Sequence, residues 1–397
     1  LIVAMAMVVA LGAAGCGDSD GDSGAAAGGS AATGSNVDWP LFGRVPARTH
    51  YLPAEEKALD PPLKQAWSIN THALIEFPPA IHDGVAYVVN KYGNGKAVRL
   101  SDRKVLWELN VRPSDKGKPN FVTAPVYDEG RIYGAFLTGH LAAGDAKTGR
   151  KDWVRKFHAH LESSPLAIDG RLYLGTDTTN LYALDAASGR TLWSFNAPGA
   201  IKASPSYDDG NVFFADYQSS MFALDAKSGK LVWRSNTSKV PPYGRGGFFS
   251  SPAVAFGRVY AARDDGTVYA FDEKTGEVEW HFDTGDYVYG SPAVAQVPGT
   301  PPTVYIGAEN GRFFALDAGT GEVRWQKQIG GPIPGTATVI GHTVYTSSFK
   351  TQETSGFDVH THKRTFHLGE AGYTPMVSDG ERLFLVGYYD LIGLEPR

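Results

Sequence analysis

The chain has 397 residues, a formal net charge of −5 with acidic and basic side chains interspersed, an apolar fraction of 42%, and one cysteine against 47 glycines. A single thiol excludes an internal disulfide and a cysteine-built zinc or iron–sulfur centre. The lack of a basic patch interleaved with aromatics argues against nucleic acid as a partner.

In chain order, Leu1 to Ala14 form an uncharged apolar run. It is too short to span a bilayer and reads as the core of a secretory signal within residues 1–15. The run ends in Ala13-Ala14-Gly15-Cys16, which resembles a bacterial lipoprotein signal with Cys16 as the lipid acceptor. An ordinary secretory signal with an incidental cysteine is the plainer alternative. After Cys16, residues 17–36 are Gly, Ser, Ala, Asp and Thr with a final Asn and little to bury, so 16–36 is expected to be a flexible tether. Acyl chains contribute about 0.8 kcal/mol per buried methylene, so several on one cysteine anchor stably. These segments predict a fold over 37–397 that lies outside the cytoplasm, near a membrane, as a monomer.

Length alone suggests two or three domains, but a repeat overrides that expectation. Trp67, Trp107, Trp153, Trp193, Trp233, Trp280 and Trp325 are spaced by 40, 46, 40, 40, 47 and 45 residues, and Phe366 follows after 41. An aromatic at fixed phase in a period of the low forties marks a β-propeller blade. Each unit reads as three strands followed by a fourth that carries the aromatic. The first connection is a hairpin turn of the Asp169-Gly170 kind, repeated at Asp83-Gly84, Glu129-Gly130, Asp209-Gly210, Phe256-Gly257 and Asp379-Gly380. The third is Asp-x-x-Ser/Thr-Gly, from Asp145, Asp185, Asp225, Asp272 and Asp317, where Asp accepts backbone N–H bonds and Gly takes a positive φ. Its recurrence makes it a turn rather than a metal loop.

Eight units result: Ala80–Asn110, Pro125–Phe157, Pro165–Phe195, Pro205–Ser235, Pro252–Phe282, Pro292–Lys327, Ala337–Leu368 and Pro375–Leu394. The last has three strands, and Leu63 to Asn70, around Trp67, is predicted to complete it. The expected fold is therefore all-β, an eight-bladed propeller of four-stranded antiparallel blades, closed by the N-terminal strand near Trp67 joining the C-terminal blade. The seven tryptophans and Phe366 are expected to lock neighbouring blades together.

The repeated Leu-Tyr-Ala-Leu-Asp-x-x-Thr/Ser-Gly-x-x-x-Trp resembles the repeat of the pyrroloquinoline quinone (PQQ)-like propeller family, as does Trp39-Pro40-Leu41-Phe42-Gly43. The family includes quinoprotein alcohol dehydrogenases and non-catalytic lipoproteins of the BamB-like branch. The enzymes resemble one another in an adjacent Cys-Cys pair, a calcium-holding Glu/Asn/Asp set and a catalytic Asp. This chain matches none of these by motif, so the lipoprotein branch is the closer resemblance.

Candidate site residues sit in loops of one face. Three positions before the blade-opening prolines Pro79, Pro125, Pro165, Pro205, Pro252 and Pro292 come Glu76, Val122, Glu162, Lys202, Phe249 and Tyr289, with Pro334 at the equivalent place in blade seven; these should ring the channel mouth. Glu162 and Lys202 could pair across neighbouring blades. His158, His160 and Glu162 alternate along one side of an extended segment, a weak metal-ligand candidate whose plainer reading is polar loop side chains. Residues 240–249 contain Tyr243, Arg245, Phe248 and Phe249 in the longest inter-blade insertion, with Tyr287 and Tyr289 on the next blade, a combination suited to partner recognition.

These features lead to a non-catalytic extracytoplasmic lipoprotein that binds a protein or cell-envelope polymer through one face, with no cofactor expected. The alternatives are a PQQ- and calcium-dependent alcohol dehydrogenase-like oxidoreductase with an atypical site, or a small-ligand sensor using Glu76, Glu162 and Lys202.

Overall fold

A computed structural model describes residues 37–53, 59–110, 123–240, 246–369 and 376–397. The signal segment, Cys16 and the tether, together with Val122, Tyr243 and Arg245, lie outside the described residues. Eight antiparallel sheets form the propeller, each with the strand order of a simple meander. Blade three is representative: Leu166–Ile168, Arg171–Gly175, Asn180–Asp185 and Thr191–Asn196 run from the innermost strand to the outermost. The inner three strands are mostly buried, whereas the outermost alternates between exposed and half-buried residues.

The ring closes as expected. Leu63–Asn70 pairs with the C-terminal strand Asp390–Pro396 in antiparallel register, with Leu63 opposite Pro396 and Asn70 opposite Asp390. The first and last blade strands of the propeller therefore share one sheet, which closes the seam.

Each aromatic anchor is set by three local features. A register shift precedes it in every blade, as where Ala183 faces Trp193 but Leu184 faces Thr191. Such a bulge increases strand twist and re-aims the side chain that follows. The residue opposite the anchor is small: Ala97, Ala143, Ala183, Ala223, Ala270 and Ala315, then Gly356 and Gly393. The indole then reaches the next blade, where Trp153 Nε1 donates to Ala186 O at 3.2 Å, Trp193 to Ala226 O at 3.1 Å and Trp280 to Ala318 O at 3.0 Å. It also covers the turn glycine of that blade, so a Cβ on Gly229 would lie 2.6 Å from Trp193. The glycine is thus required twice, once for φ +69° and once for the indole above it. In blade seven His362 takes the glycine's place with φ +58° and stacks on Trp325, ring centroids 5.3 Å apart.

One hairpin differs from its expected form. In blade eight the inner strands end at Ser378 and resume at Leu383. Asp379-Gly380 therefore belongs to a longer connection, not a two-residue turn. The Asp379 carboxylate accepts the Glu381 and Arg382 N–H groups at 2.9 and 2.7 Å, which folds the chain through the extra residues.

The innermost strands present unpaired N–H and C=O groups to the channel, and residues 37–52 cover them. Val37 N donates to Asp379 O of blade eight, and Trp39 exchanges both bonds with Ile81 of blade one. The carbonyls of Pro40, Pro46, Ala47, Thr49 and His50 then accept from Tyr127, Tyr207, Val254, Val294 and Val339, on blades two, four, five, six and seven. Tyr51–Leu52 finally lies parallel to Thr338–Ile340 as a fifth strand of blade seven. Blade three is reached by a side chain: Arg48, fully buried, donates to Ser164 O and Pro165 O at 3.3 and 3.2 Å, as well as to Phe42 O and to Pro205 O. The N-terminal segment is thus a seal that touches every blade.

Candidate functional site

The seal makes the channel a blind cavity of about 400 Å³ with Phe42 in its lining. Glu76, Glu162, Lys202, Phe249, Tyr289 and Pro334 all line this cavity, which brings together the described members of the predicted ring. They converge because each stands in the loop that leads from one blade's outer strand to the next blade's inner strand.

Glu162 Oε1 lies 3.1 Å from Lys202 Nζ, each side chain about a quarter exposed. The Lys202 ammonium also sits over the Tyr217 ring, 4.9 Å from its centroid. An ion pair this wet contributes about 0–1 kcal/mol, and the cation–π contact about 0.5–1 kcal/mol. Burial pushes the Glu76 carboxyl up to about 7, partly offset by the positive charge of Lys91.

Beneath these residues is a belt of hydroxyls. Ala124 N donates to Ser164 Oγ, Ser164 N to Ser204 Oγ, Ser204 N to Ser251 Oγ, Ser251 N to Ser291 Oγ, and Ser291 N to Thr336 Oγ1, at 2.9–3.1 Å. The belt ties blades two to seven together and lines the cavity. Thr123 Oγ1 also lines it, is buried and has no hydrogen-bond partner among the described residues. The sequence reading passed over this belt, although its signal recurs as Ser-Pro at the start of blades three to six. Phe42 and Phe77, packed edge-to-face with centroids 6.1 Å apart, were also missed, because no local pattern ties the seal to the cavity.

An aromatic arc runs outward from the mouth. Tyr217 meets Phe249 at 6.5 Å, Phe249 meets Tyr289 at 5.9 Å, and Tyr289 lies nearly parallel to Tyr287 at 6.3 Å. Tyr287 is 56% exposed, Tyr289 40% and Phe249 37%. Phe248 turns the other way: it is fully buried against Tyr269 and is part of a blade's core, not of the face. The alternation of an extended segment decides this, since neighbours point to opposite sides.

The histidines do not converge. His160 pairs with Asp177 at 3.2 Å while Glu162 turns to Lys202, and His158 is exposed. Among the described residues no group of three His, Cys, Asp or Glu side chains could hold a metal ion. No helix among them is long and apolar enough to cross a membrane.

Comparison with known proteins places this architecture. The family profile described as outer membrane protein assembly factor BamB matches residues 58–195, 158–245 and 182–391. The dehydrogenase subunit of a quinone-dependent alcohol dehydrogenase from Komagataeibacter europaeus is 38% identical over 125 residues, which cover 29% of this chain and 17% of that protein. The chain thus spans under a fifth of the curated relatives it matches. Among solved structures, BamB from Moraxella catarrhalis superposes with a TM-score of 0.68 at 18% identity, over 84% of this chain and 99% of that one. The quinohemoprotein alcohol dehydrogenase from Comamonas testosteroni gives 0.74 at 14% identity, over 90% and 80%. Both likenesses are of fold. With the profile matching most of its length and the propeller in agreement, the chain belongs to the outer membrane protein assembly factor BamB family of PQQ-like propellers.

Proposed function

We propose that this chain is a non-catalytic, extracytoplasmic binding platform. It is held near a membrane through Cys16 and takes a protein or cell-envelope polymer on the face around the cavity mouth. The observation that carries this reading is the aromatic arc of Phe249, Tyr289 and Tyr287, exposed together on one face. Clustered tyrosines and phenylalanines are the side chains that dominate interface energetics, with truncation of a hot spot costing about 2 kcal/mol or more. A rigid closed ring suits the role, because it holds those side chains in place before the partner arrives.

The dehydrogenase similarity favours a second reading, a PQQ enzyme, and the cavity chemistry weighs against it. PQQ is a tricarboxylate. Among the described lining residues Lys202 is the sole cation, and Glu162 already engages it, while Glu76 adds a further carboxyl group. A multiply charged anion placed there would be desolvated without matching partners. The lining residues do not fit the group.

The test is site-specific photo-crosslinking in the native host, with the reactive residue at Tyr287 or at Phe256, which is 42% exposed on a hairpin turn at the other end of the ring. Adducts from Tyr287 and none from Phe256 are expected. Adducts from Phe256 alone would refute the face assignment. Adding PQQ and calcium to the purified protein should change neither absorbance nor melting temperature; a quinone spectrum with raised melting would establish the enzyme reading instead.

A further inference from the structure

The cavity offers a ligand three kinds of contact together. The first is a set of hydrogen-bond donors. Each of Ser164, Ser204, Ser251, Ser291 and Thr336 accepts an N–H from the neighbouring blade, so its own O–H proton points elsewhere. No acceptor for these protons occurs among the described residues. Thr123 adds a hydroxyl that is buried and has no hydrogen-bond partner among the described residues. Hydroxyls whose protons are uncommitted and that line a cavity can donate to the molecule held there. The second kind is acceptors, from the carboxyl groups of Glu76 and Glu162. The third is flat apolar surface, from Phe42, Phe77, Phe249 and Tyr289.

Charge then narrows the ligand. Lys202 is neutralised by Glu162 at 3.1 Å. Glu76, pushed up to about 7, is protonated for much of the time near neutrality. A strong anion finds no uncommitted positive charge, and a cation finds only Glu76, a carboxyl group partly protonated near neutrality. A neutral polyol has hydroxyls that both donate and accept, and a pyranose adds C–H faces that lie flat on aromatic rings. The volume of about 400 Å³ lies within the range of small-molecule sites.

We propose that the cavity closed by residues 37–52 binds a neutral pyranose saccharide of mono- or disaccharide size, held by the hydroxyl belt and Thr123 as donors, by Glu76 and Glu162 as acceptors, and by Phe77 and Phe249 as stacking faces. The inference deepens the platform reading by naming what its central cavity takes. It makes this chain a receptor for sugar, whether free or at the end of an envelope glycan.

The test is isothermal calorimetry together with saturation-transfer NMR on the full chain, using maltose, cellobiose and diacetylchitobiose. Saturable binding of at least one is expected, with the strongest saturation transfer at ring C–H protons. Thr123→Val should weaken that binding about tenfold, the loss of one well-buried hydrogen bond, while leaving the melting temperature unchanged or raised. Glu76→Gln should retain it, since an amide still accepts. No saturable binding of any of the sugars at millimolar concentration overturns the inference. So does binding of putrescine that Glu76→Gln abolishes, which would make the cavity a cation site. Failure here with crosslinking at Tyr287 intact removes this inference and leaves the platform reading standing.

Discussion

Two glycines separate the cost of a left-handed backbone from the cost of displacing an indole. Gly210 has φ +81° with nothing within 4 Å of a built Cβ, whereas Gly229 has φ +69° and a Cβ there would fall 2.6 Å from Trp193. An alanine at either site adopts the left-handed region at about 1–2 kcal/mol. At Gly229 the ring must also move. Overpacking adds about 1–3 kcal/mol, and losing the Trp193 Nε1 bond to Ala226 O adds about 1 kcal/mol. Gly210→Ala should therefore cost about 1–2 kcal/mol and Gly229→Ala about 3–6 kcal/mol. In a ring of this size each kcal/mol moves the melting temperature by only about 1–2 °C. Urea midpoints alongside thermal melts, both under reversible conditions, would resolve the pair. Equal destabilisation by the two variants would refute the view that the indole over the turn locks blade to blade.

Three further outcomes are expected. Glu76 holds its proton more tightly in the folded state than in the unfolded chain, because burial raises it from 4.5 to about 7. The fold therefore loses stability as pH rises through that window. Glu76→Gln should melt progressively above the parent across it and match the parent below it; a constant offset would count against the assignment. Hydroxyl hydrogen bonds from Thr148, Ser188, Ser228 and Thr275 hold Asp145, Asp185, Asp225 and Asp272 below their ordinary 3.8. The stability they contribute is present above that value and lost as pH falls through the depressed ones, so Asp→Asn at all four turns should flatten the acid limb of a melting-versus-pH curve, and an unaltered limb would contradict this. Trp67→Ala should cost about 3–5 kcal/mol and open the seam first, seen as early proteolysis near Leu63–Asn70; cleavage elsewhere first would show that the clasp is not the weakest joint.

Blade number, the clasp and the recurring turns other than that at Asp379-Gly380 were legible in the sequence because their causes are local and repeated. A strand-period pattern, an Asp-x-x-Ser/Thr-Gly turn and an indole at fixed phase each need only neighbours a few residues away, and repetition multiplied the signal. The ring of Glu76, Glu162, Lys202, Phe249 and Tyr289 followed from the same phase. Asp379-Gly380 misled because a turn dipeptide carries no record of how many residues the connection must span. Phe248 misled because neighbours in an extended stretch face opposite sides and composition does not say which faces inward.

The sequence by itself determined the architecture: periodic apolar strands and recurring indoles leave few folds that bury them. Only the tertiary structure decided that residues 37–52 seal the channel and that the cavity is blind. It also decided that Ser164, Ser204, Ser251, Ser291 and Thr336 form one belt. The physical reason is that these contacts join one unrepeated segment, or one residue from each blade, across distances along the chain that carry no periodic signal. They exist only once the ring has closed around its own beginning.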